Sequence, residues 1–331
     1  MHATLKALRS SPGKKNEELM KLIIQIPCFN EEETLPVTIE NLPRKVNGFD
    51  TVEFLVIDDG STDHTVEVAK ALGVDHIVRF PKNKGLAHAF MAGLNECLLE
   101  GADVIVNTDA DNQYNAEGIP DLVNPILAKQ AGMVIGSRPI QDIQHFSLIK
   151  KLLQKLGSHV VRIASNTDVE DAPSGFRAIS RNAALNLNVF SEYTYTLETI
   201  IQAGQKGMTV LSVPIKVNGD LRPSRLVKNM RKYVFRSMTT ILRIFTIYRP
   251  FKAFMLFGSV FLFAALIICI RYLYFFFIGD GSGHVQSLIL AGVLFNLGFF
   301  LSMSGVIADL ISVNRRLIED VQWRLRKIER K

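Results

Sequence analysis

The stretch VIVNTDADNQ, residues 104–113, joins a short apolar run to a cluster of acidic and amide side chains. Residues 104–106 are typical of a buried strand, and Asp109 and Asp111 follow where that strand would end. In an extended segment, two carboxylates spaced two residues apart point the same way. Together with the amide of Gln113 they can hold Mg²⁺ or Mn²⁺, which prefer oxygen ligands. The alternative interpretation is a solvated turn.

Further apolar runs predict the rest of an α/β domain around this stretch. They are residues 22–26, 52–57, 76–78 and 133–135, with helical stretches at 66–72 and 87–99 between them. Apolar runs separated by helices predict a parallel sheet that is covered on both faces. In such sheets the ligand crevice lies beyond the carboxyl ends of the strands, which is where the polar residues of this chain fall.

Two more polar patches follow the first two predicted strands, PCFNE at 27–31 and DDGSTD at 58–63. Acidic side chains at these positions can accept hydrogen bonds from a nucleobase or a ribose. They can equally cap the helices that follow or complement the dipoles of those helices. The sequence leaves both interpretations open.

The last third of the chain has the composition of a membrane segment. Residues 253–278 and 285–308 are long apolar runs whose one charged residue is Arg271. A helix of about 20 residues crosses a hydrocarbon core of roughly 30 Å, so the runs predict a transmembrane hairpin. Two buried core helices are the alternative. Basic residues flank the hairpin's outer ends and are absent from the turn at 279–284, which predicts that both termini are cytoplasmic.

Charge and composition suggest how the 331 residues are organised. The net charge is +6, the mean hydropathy is +0.18, and the three cysteines have no paired spacing that would indicate a zinc site or a disulfide framework. Because the basic residues cluster beside apolar runs, an anionic membrane surface is favoured over nucleic acid as the partner. We expect a flexible basic leader at 1–21, an α/β domain at 22–220, an interfacial amphipathic helix at 221–250, the hairpin at 251–310 and a basic helical tail at 311–331.

Taken together, the motifs resemble a known family. They are PCFNEEE (27–33), DDGSTD (58–63), NKGLAHAFMAGL (83–94), DADNQ (109–113), GSR (136–138), SGFR (174–177) and VPIKV (213–217). With two membrane spans after them, they resemble the polyprenyl-phosphate glycosyltransferases of the dolichyl-phosphate mannose synthase type, within glycosyltransferase family 2. The resemblance covers about residues 22–310. It implies a GT-A fold, a UDP- or GDP-linked sugar donor, Mg²⁺ or Mn²⁺ as cofactor, inversion of configuration and a polyprenyl phosphate acceptor at a cell membrane.

The resemblance also implies roles for individual residues. The nucleoside pocket would be lined by Pro27, Phe29, Glu31, Ile57 and Asp59. The diphosphate and the metal would meet Asp109, Ala110, Asp111 and Gln113, so that Asp109, Asp111 and Arg138 carry the catalysis. The acceptor phosphate would lie near Arg138, Lys150, Lys151, Gln154, Ser174, Arg177 and Arg225.

Some of these positions depart from the family pattern. Phe29 stands where a tyrosine is usual, and Lys150, Lys151 and Gln154 occupy a region where relatives carry an arginine and a serine. Lysine cannot bind two phosphate oxygens through a planar fork as arginine does. Arg177 is either a phosphate contact or the partner of an internal group.

The expected acceptor decides which catalytic groups are needed. A lipid phosphate has a second pKa of about 6 and is largely dianionic at neutral pH, so no general base has to deprotonate it. Glu198 occupies the region where hydroxyl-using relatives keep a catalytic acid. We expect it to orient an arginine, to close the site or only to stabilise a helix N-terminus. A polysaccharide synthase with a hydroxyl acceptor and a non-catalytic membrane scaffold are the rival functions, and the sequence leaves a homo-oligomer open.

Overall fold

The fold is an α/β domain followed by two long helices. The computed structural model describes residues 19–139, 148–189, 195–219, 246–279 and 281–329, together with 235, 239, 242 and 243. Within these residues seven strands form one sheet, in the order β3-β2-β1-β4-β6-β5-β7. The strands are β1 (Lys21–Cys28), β2 (Thr51–Asp58), β3 (His76–Arg79), β4 (Val104–Asn107), β5 (Met133–Ser137), β6 (Arg177–Ser180) and β7 (Val210–Pro214).

Helices cover both faces of the sheet. They are α1 (Leu35–Asn41), α2 (Thr65–Ala71), α3 (Leu86–Leu99), α4 (Ile119–Leu127), α5 (Leu148–Ser165), α6 (Arg181–Asn186) and α7 (Thr196–Gln205). Two apolar cores result, one on each face, and alternate residues of a strand enter opposite cores, as Ile23 and Ile24 of β1 do. Strands that are buried on both faces must be apolar at consecutive positions, which is why β1, β2 and β4 were visible as continuous runs.

The sheet is mixed rather than wholly parallel, which corrects the sequence analysis. Strand β6 pairs antiparallel with both β4 and β5, whereas the pairs β1–β2, β1–β4, β2–β3 and β5–β7 are parallel. The apolar pattern of the sequence predicts neither β6 nor β7. Strand β6 opens with Arg177 and β7 is only partly buried, so neither has the continuous apolar run that identifies a buried strand.

Two helices long and apolar enough to cross a membrane follow the α/β domain, as predicted. They are α8 (Pro250–Ile278) and α9 (Val285–Glu329). Gly279, with a φ of 93°, ends α8 in a left-handed conformation, and a 3₁₀ turn at Gly281–His284 leads into α9. Only 17% of the most apolar window of each helix is buried, so neither helix lies in the core of this chain.

Parts of the predicted organisation fall outside the described residues. They include residues 1–18 of the predicted leader, and Lys21 already belongs to β1. Most of the predicted interfacial helix, Arg225 among it, also lies outside, although the described positions 235, 239, 242, 243 and 246–248 are helical.

Candidate active site

The polar segments singled out in the sequence lie together at one edge of the sheet. The parallel register places Cys28 opposite Asp58, Asp58 opposite Arg79, and Gln25 opposite Asn107. The loops that follow β1, β2, β3 and β4 therefore leave the sheet side by side. This is the position expected for a ligand crevice in an α/β fold.

The loops after β1 and β2 are tied to each other. The amide of Asn30 donates a hydrogen bond to Ser61 Oγ (2.9 Å), and the amide of Thr62 donates one to Asn30 Oδ1 (2.8 Å). The amide of Glu31 likewise donates to Thr65 Oγ1 (2.9 Å). These contacts hold the two predicted nucleoside-binding patches in one rigid unit, and a surface cavity is lined by residues 30–34 and 62–63 of the two loops.

The acid Asp59 shapes the loop that precedes α3. Its two carboxylate oxygens accept hydrogen bonds from the amides of Lys84 (2.7 Å) and Gly85 (2.8 Å). Gly60, at a φ of 73°, packs so closely that an added Cβ would lie 2.5 Å from the Lys82 carbonyl carbon. Asp59 therefore orders the loop before α3, and it caps neither that helix nor α2, the helix that follows its own segment.

The other residues predicted for the nucleoside pocket differ in exposure. Pro27 and Ile57 are buried at the ends of β1 and β2, and Glu31 is buried and accepts a hydrogen bond from Thr34 Oγ1 (2.6 Å). Phe29 is 38% exposed. Phe29 is thus the most exposed of these side chains, and an aromatic ring is a suitable surface for a base to stack on.

Asp109 and Asp111, the two carboxylates of the D-x-D segment at 109–111, lie in a turn and not in an extended strand. Strand β4 ends at Asn107, and Asn112 has a left-handed φ of 54°. Asp109 and Asp111 are both partly exposed, whereas Ala110 between them is buried and its carbonyl accepts a hydrogen bond from Thr38 Oγ1 (2.8 Å). The turn therefore brings the two carboxylates to the surface of the edge, although for a different reason from the strand alternation that the sequence suggested.

A buried polar layer supports this turn from below. Asn107 accepts a hydrogen bond from Gln25 Nε2 (2.8 Å) and donates to the Gly175 carbonyl and to Tyr195 Oη, both at 2.9 Å. A Cβ at Gly175 would lie 3.1 Å from both Asp109 carboxylate oxygens. A side chain larger than hydrogen at Gly175 would thus crowd Asp109, which explains the glycine in the SGFR segment.

The electrostatics of the site centre on Asp109. Desolvation, and then the charge of Asp111, raises the pKa of Asp109 from 3.8 to about 7, although Arg138 and Arg177 act in the opposite direction. Because two neighbouring carboxylates repel each other when both are ionised, this pair is a suitable binding site for a cation.

The donor set fits a hard divalent cation. Asp109 and Asp111 supply partly exposed carboxylates. Gln113 follows in the same turn, where its backbone N–H donates a hydrogen bond to Asp111 Oδ1 (3.2 Å). Within the described residues no group of three or more His, Cys, Asp or Glu side chains forms a closed metal site. A cation held by two carboxylates keeps coordination positions for phosphate oxygens, as Mg²⁺ usually does.

Arg138 is held by an acid that the sequence analysis missed. Its Nε and Nη2 donate to the carboxylate of the fully buried Asp171 at 2.7 and 3.0 Å. Burial opposes the charge of Arg138, but Tyr114 and Asp171 outweigh that effect and raise its pKa. The pair fixes the orientation of a guanidinium that remains charged at every physiological pH. No spacing in the sequence connects these residues, which are 33 positions apart.

Two residues predicted to contact the acceptor phosphate prove to be internal. Arg177 is fully buried and donates to the Thr196 carbonyl (3.2 Å), to Thr199 Oγ1 (2.7 Å) and to the Ser174 carbonyl. Ser174 is also fully buried. Because both Nη atoms of this buried guanidinium have protein acceptors, the structure supports the internal role that the sequence left open for Arg177, and the burial of both residues does not support a phosphate contact for either.

The remaining predicted residues are located less fully. Lys150, Lys151 and Gln154 belong to α5, but their side chains are not among the described ones. Glu198 lies in the first turn of α7, as expected, yet it accepts a hydrogen bond from Tyr248 Oη (2.7 Å). Tyr248 lies next to the first membrane-length helix, a partner that the sequence did not suggest.

Comparison with known proteins places the α/β domain among glycosyltransferases. The family model described as Glycosyl transferase family 2 matches residues 23–187. An uncharacterized protein of Methanocaldococcus jannaschii is 32% identical over 201 residues, which cover 59% of this chain and 81% of the relative.

Two relatives with named activities match a similar share of the chain. The undecaprenyl-phosphate mannosyltransferase of Micrococcus luteus is 29% identical, over 59% of this chain and 83% of that protein. The UDP-N-acetylglucosamine–dolichyl-phosphate N-acetylglucosaminyltransferase of Methanococcus voltae is 29% identical, over 60% of this chain and 86% of that protein.

The solved structures agree on the fold. Glucosyl-3-phosphoglycerate synthase of Mycobacterium tuberculosis in complex with phosphoglyceric acid gives a TM-score of 0.53 at 21% identity, over 69% of this chain and 79% of that one. The same synthase with Mn²⁺, UDP and phosphoglyceric acid gives 0.51 at 20% identity, over 67% and 78%.

Proposed function

Because the chain belongs to family 2 of the glycosyltransferases, we propose that it transfers a sugar from a nucleotide-sugar to the phosphate of a polyprenyl lipid. The observation that carries the proposal is the combination, in one chain, of a two-carboxylate edge suited to a diphosphate and a pair of exposed apolar helices. The first can bind a water-soluble donor, and the second keeps the protein where a lipid acceptor is found.

The named relatives support this acceptor class. One acts on undecaprenyl phosphate and another on dolichyl phosphate. Their sugars differ, since one is a mannosyltransferase and the other uses UDP-N-acetylglucosamine, so the proposal includes UDP- and GDP-linked donors. Undecaprenyl and dolichyl phosphate are both included as acceptors.

The proposed reaction joins two anionic reactants. A phosphate oxygen of the acceptor attacks the anomeric carbon from the face opposite the leaving nucleoside diphosphate, so that configuration inverts. A Mg²⁺ or Mn²⁺ held by Asp109, Asp111 and Gln113 would neutralise the charge that develops on the diphosphate. Arg138, oriented by Asp171, provides a fixed positive charge beside this edge for the acceptor phosphate.

Further residues complete the proposed binding sites. Phe29 stacks on the nucleobase, and Glu31 and Asp59 maintain the loops that surround it. Lys150, Lys151, Gln154 and Arg225 remain the proposed additional contacts for the acceptor phosphate. Three of these four are basic, which suits a dianionic ligand.

The proposal also includes a topology. The basic residues before α8 and in the last part of α9 favour a cytoplasmic position for the α/β domain and for both termini, with the turn between the helices on the other side. The basic stretch at 221–250 would lie on the membrane surface and attract the anionic head group.

A hydroxyl acceptor is less consistent with the position of Glu198. A transferase that activates a hydroxyl needs a base within hydrogen-bond reach of it. Glu198 instead bonds Tyr248 at the side of the domain where the long helices begin.

The test is a transfer assay with the full-length protein in detergent or nanodiscs. Radiolabelled UDP- and GDP-sugars are incubated with undecaprenyl or dolichyl phosphate and Mg²⁺ or Mn²⁺. We expect a lipid-soluble product whose sugar is released by dilute acid, as a sugar phosphodiester is. Label that appears in a polysaccharide, or no transfer to either lipid from any donor, would contradict the proposal.

A further inference from the structure

Helix α9 continues well beyond the length that a membrane needs. Its 45 residues extend over roughly 68 Å at about 1.5 Å per residue, about twice the thickness of a hydrocarbon core. In the last part of the helix Ser312 and Glu319 are buried, whereas Leu317 and Val321 on another face are exposed. Trp323 packs against the core of the α/β domain, and the helix contacts α6. The continuation of α9 is therefore docked on the domain.

Glu319 is the polar anchor of this docking. Although it is only 5% exposed, its carboxylate forms ion pairs with Lys206 of the α/β domain (3.3 Å) and with Arg315 of its own helix (3.4 Å). Lys206 Nζ also donates to the Asn186 carbonyl at the end of α6 (2.6 Å). The Lys206–Glu319 pair joins α9 to the domain, and sliding the helix would separate the buried carboxylate from this partner, which disfavours other registers.

The start of the hairpin joins the same contact region. The Arg315 guanidinium lies 4.5 Å from the ring centre of Tyr248, and the carbonyl of Tyr248 accepts a hydrogen bond from Gln205 Nε2 (3.2 Å). Arg249 Nε donates to the Ala164 carbonyl at the end of α5 (3.2 Å). We call the group Glu198, Lys206, Tyr248, Arg315 and Glu319 the junction.

The junction leads back to the candidate active site through α7. Tyr248 Oη donates to Glu198 in the first turn of that helix, and burial and then Glu198 raise the pKa of Tyr248, so the hydroxyl keeps its proton. The same turn supplies Thr196 and Thr199, the acceptors that hold Arg177. Arg177 in turn opens β6. The start of the hairpin is therefore joined, through the first turn of α7, to the sheet that carries the candidate active site.

The helix that carries the proposed lipid-phosphate contacts is fixed to the same structure. Helix α7 packs so closely on the end of α5 that a Cβ at Gly204 would lie 2.0 Å from the Ser165 carbonyl oxygen. Helix α5 is thus held in its last turn through Arg249, and α7 is held through Glu198 in its first turn and Gln205 at its last residue.

We propose that the junction sets the height and orientation of the active site above the bilayer, and that Glu198 and Glu319 are positioning residues for the lipid acceptor. This inference rests on the proposed function for its kinetic test. Glu198 is then not a catalytic acid. Through its hydrogen bond with Tyr248 it links the start of the hairpin to the side of the domain where the acceptor is proposed to bind.

The kinetic test uses Tyr248→Phe and Glu319→Gln in the full-length protein. Each is assayed with a long-chain polyprenyl phosphate embedded in nanodiscs and with a prenyl phosphate short enough to be water-soluble. We expect the KM for the embedded acceptor to rise about tenfold, while the KM for the donor and for the soluble acceptor change less than about twofold. Equal losses with both acceptors, or values like those of the wild type, overturn the inference.

Matched controls separate the junction from general effects of substitution. Asp320→Asn alters the acid next to Glu319, which is exposed and pairs with Arg324 on its own helix (3.0 Å). Tyr274→Phe removes a hydroxyl from a 63% exposed tyrosine near the far end of α8. Both controls should behave like the wild type.

A distance measurement tests the junction independently of activity. Spin labels at Glu40→Cys and Ile278→Cys report on the domain and on the far end of α8, in a background where Cys269 is replaced and the buried Cys28 and Cys97 remain. We expect one narrow distance distribution in the parent and the controls, and a broadened one in Tyr248→Phe and Glu319→Gln. Equal widths overturn the inference even if no acceptor is found, whereas broadening together with a failure of all lipid acceptors would refute only the proposed function.

Discussion

The α/β domain and the two long helices place the same types of apolar residue in opposite environments. In the domain, Ile24 and Val106 of neighbouring strands are 0% exposed. In the hairpin, Phe277 is 82% exposed and Phe300 is 69% exposed. Exposure of single apolar residues is ordinary in soluble proteins, but faces of this size are not. The domain therefore hides its apolar residues from water, whereas the two helices present theirs on a surface suited to lipid.

The polar groups of the two regions follow the same division. At the sheet edge, acids and arginines are held by partners from inside the domain, as Arg138 is by Asp171. Between α8 and α9, contact relies on small residues that let the backbones approach, since an added Cβ at Gly298 would lie 2.9 Å from the Gly258 carbonyl oxygen. Charged contacts thus support the sheet edge, whereas the close approach of small residues joins the two apolar helices.

The largest effect is expected from Asp111→Asn at the sheet edge. The substitution removes one of two carboxylates proposed to hold the cation, so transfer should fall by about a thousandfold or more. The measurement is the rate of labelled lipid formed by purified protein, together with the fraction of protein found in membranes. Membrane association should not change, because α8 and α9 are untouched.

Asp121→Asn provides the matched control, since Asp121 is an exposed acid on α4. It should retain the activity of the wild type. If the Asp111→Asn variant transferred sugar at the wild-type rate, the sheet edge would not be the metal site. The contrast between a catalytic domain and an apolar hairpin would then lose its support.

The second largest effect tests whether the exposed face of the hairpin contacts lipid. Val293→Arg places a charge on a 59% exposed position well inside α9, where the cost of insertion should rise by about 2.5–3.5 kcal/mol. Val313→Arg makes the same change at a 44% exposed position in the continuation of the helix. The fraction of each variant that resists alkaline extraction from membranes should fall for Val293→Arg only. Similar fractions for the two variants would mean that the exposed face does not meet lipid.

An intermediate effect is expected from Asp171→Asn. The substitution leaves Arg138 without its anionic partner, so its guanidinium is no longer held in one orientation. Transfer should fall about thirtyfold, chiefly because the KM for the acceptor rises. Asp168→Asn, at an exposed acid three residues earlier, should have little effect. A thermal unfolding midpoint measured for both variants separates a loss of orientation from a loss of folded protein. An unchanged acceptor KM in a folded Asp171→Asn variant would detach Arg138 from acceptor binding.

How much of the structure could be predicted from the sequence depended on how far apart in the chain the interacting residues lie. Strands β1, β2 and β4 and both long helices could be predicted, because each forms a continuous apolar run. The D-x-D carboxylates could also be predicted, since they directly follow a strand. Contacts between distant positions could not.

Three examples show why the rest was missed. Asp171 meets Arg138 from 33 residues away, and Tyr248 meets Glu198 from 50 residues away, so no local spacing reveals either pair. For Arg177 the sequence left a phosphate contact and an internal role open, because burial of a guanidinium depends on acceptors that only the fold brings together. Side-chain partners of this kind are properties of the tertiary structure.

The smallest effect tests the packing of the hairpin itself. Gly258→Ala adds a methyl group that would lie 2.6 Å from Ser302 Oγ and 2.9 Å from the Gly298 carbonyl oxygen. Because that oxygen belongs to a helix backbone and cannot move aside, the helices must separate slightly, at a cost of about 1–2 kcal/mol. Gly292→Ala adds the same methyl group where nothing lies within 4 Å, and it should be neutral or slightly stabilising. Unfolding in mixed micelles measures both, and equal stabilities would show that α8 and α9 do not depend on this close approach.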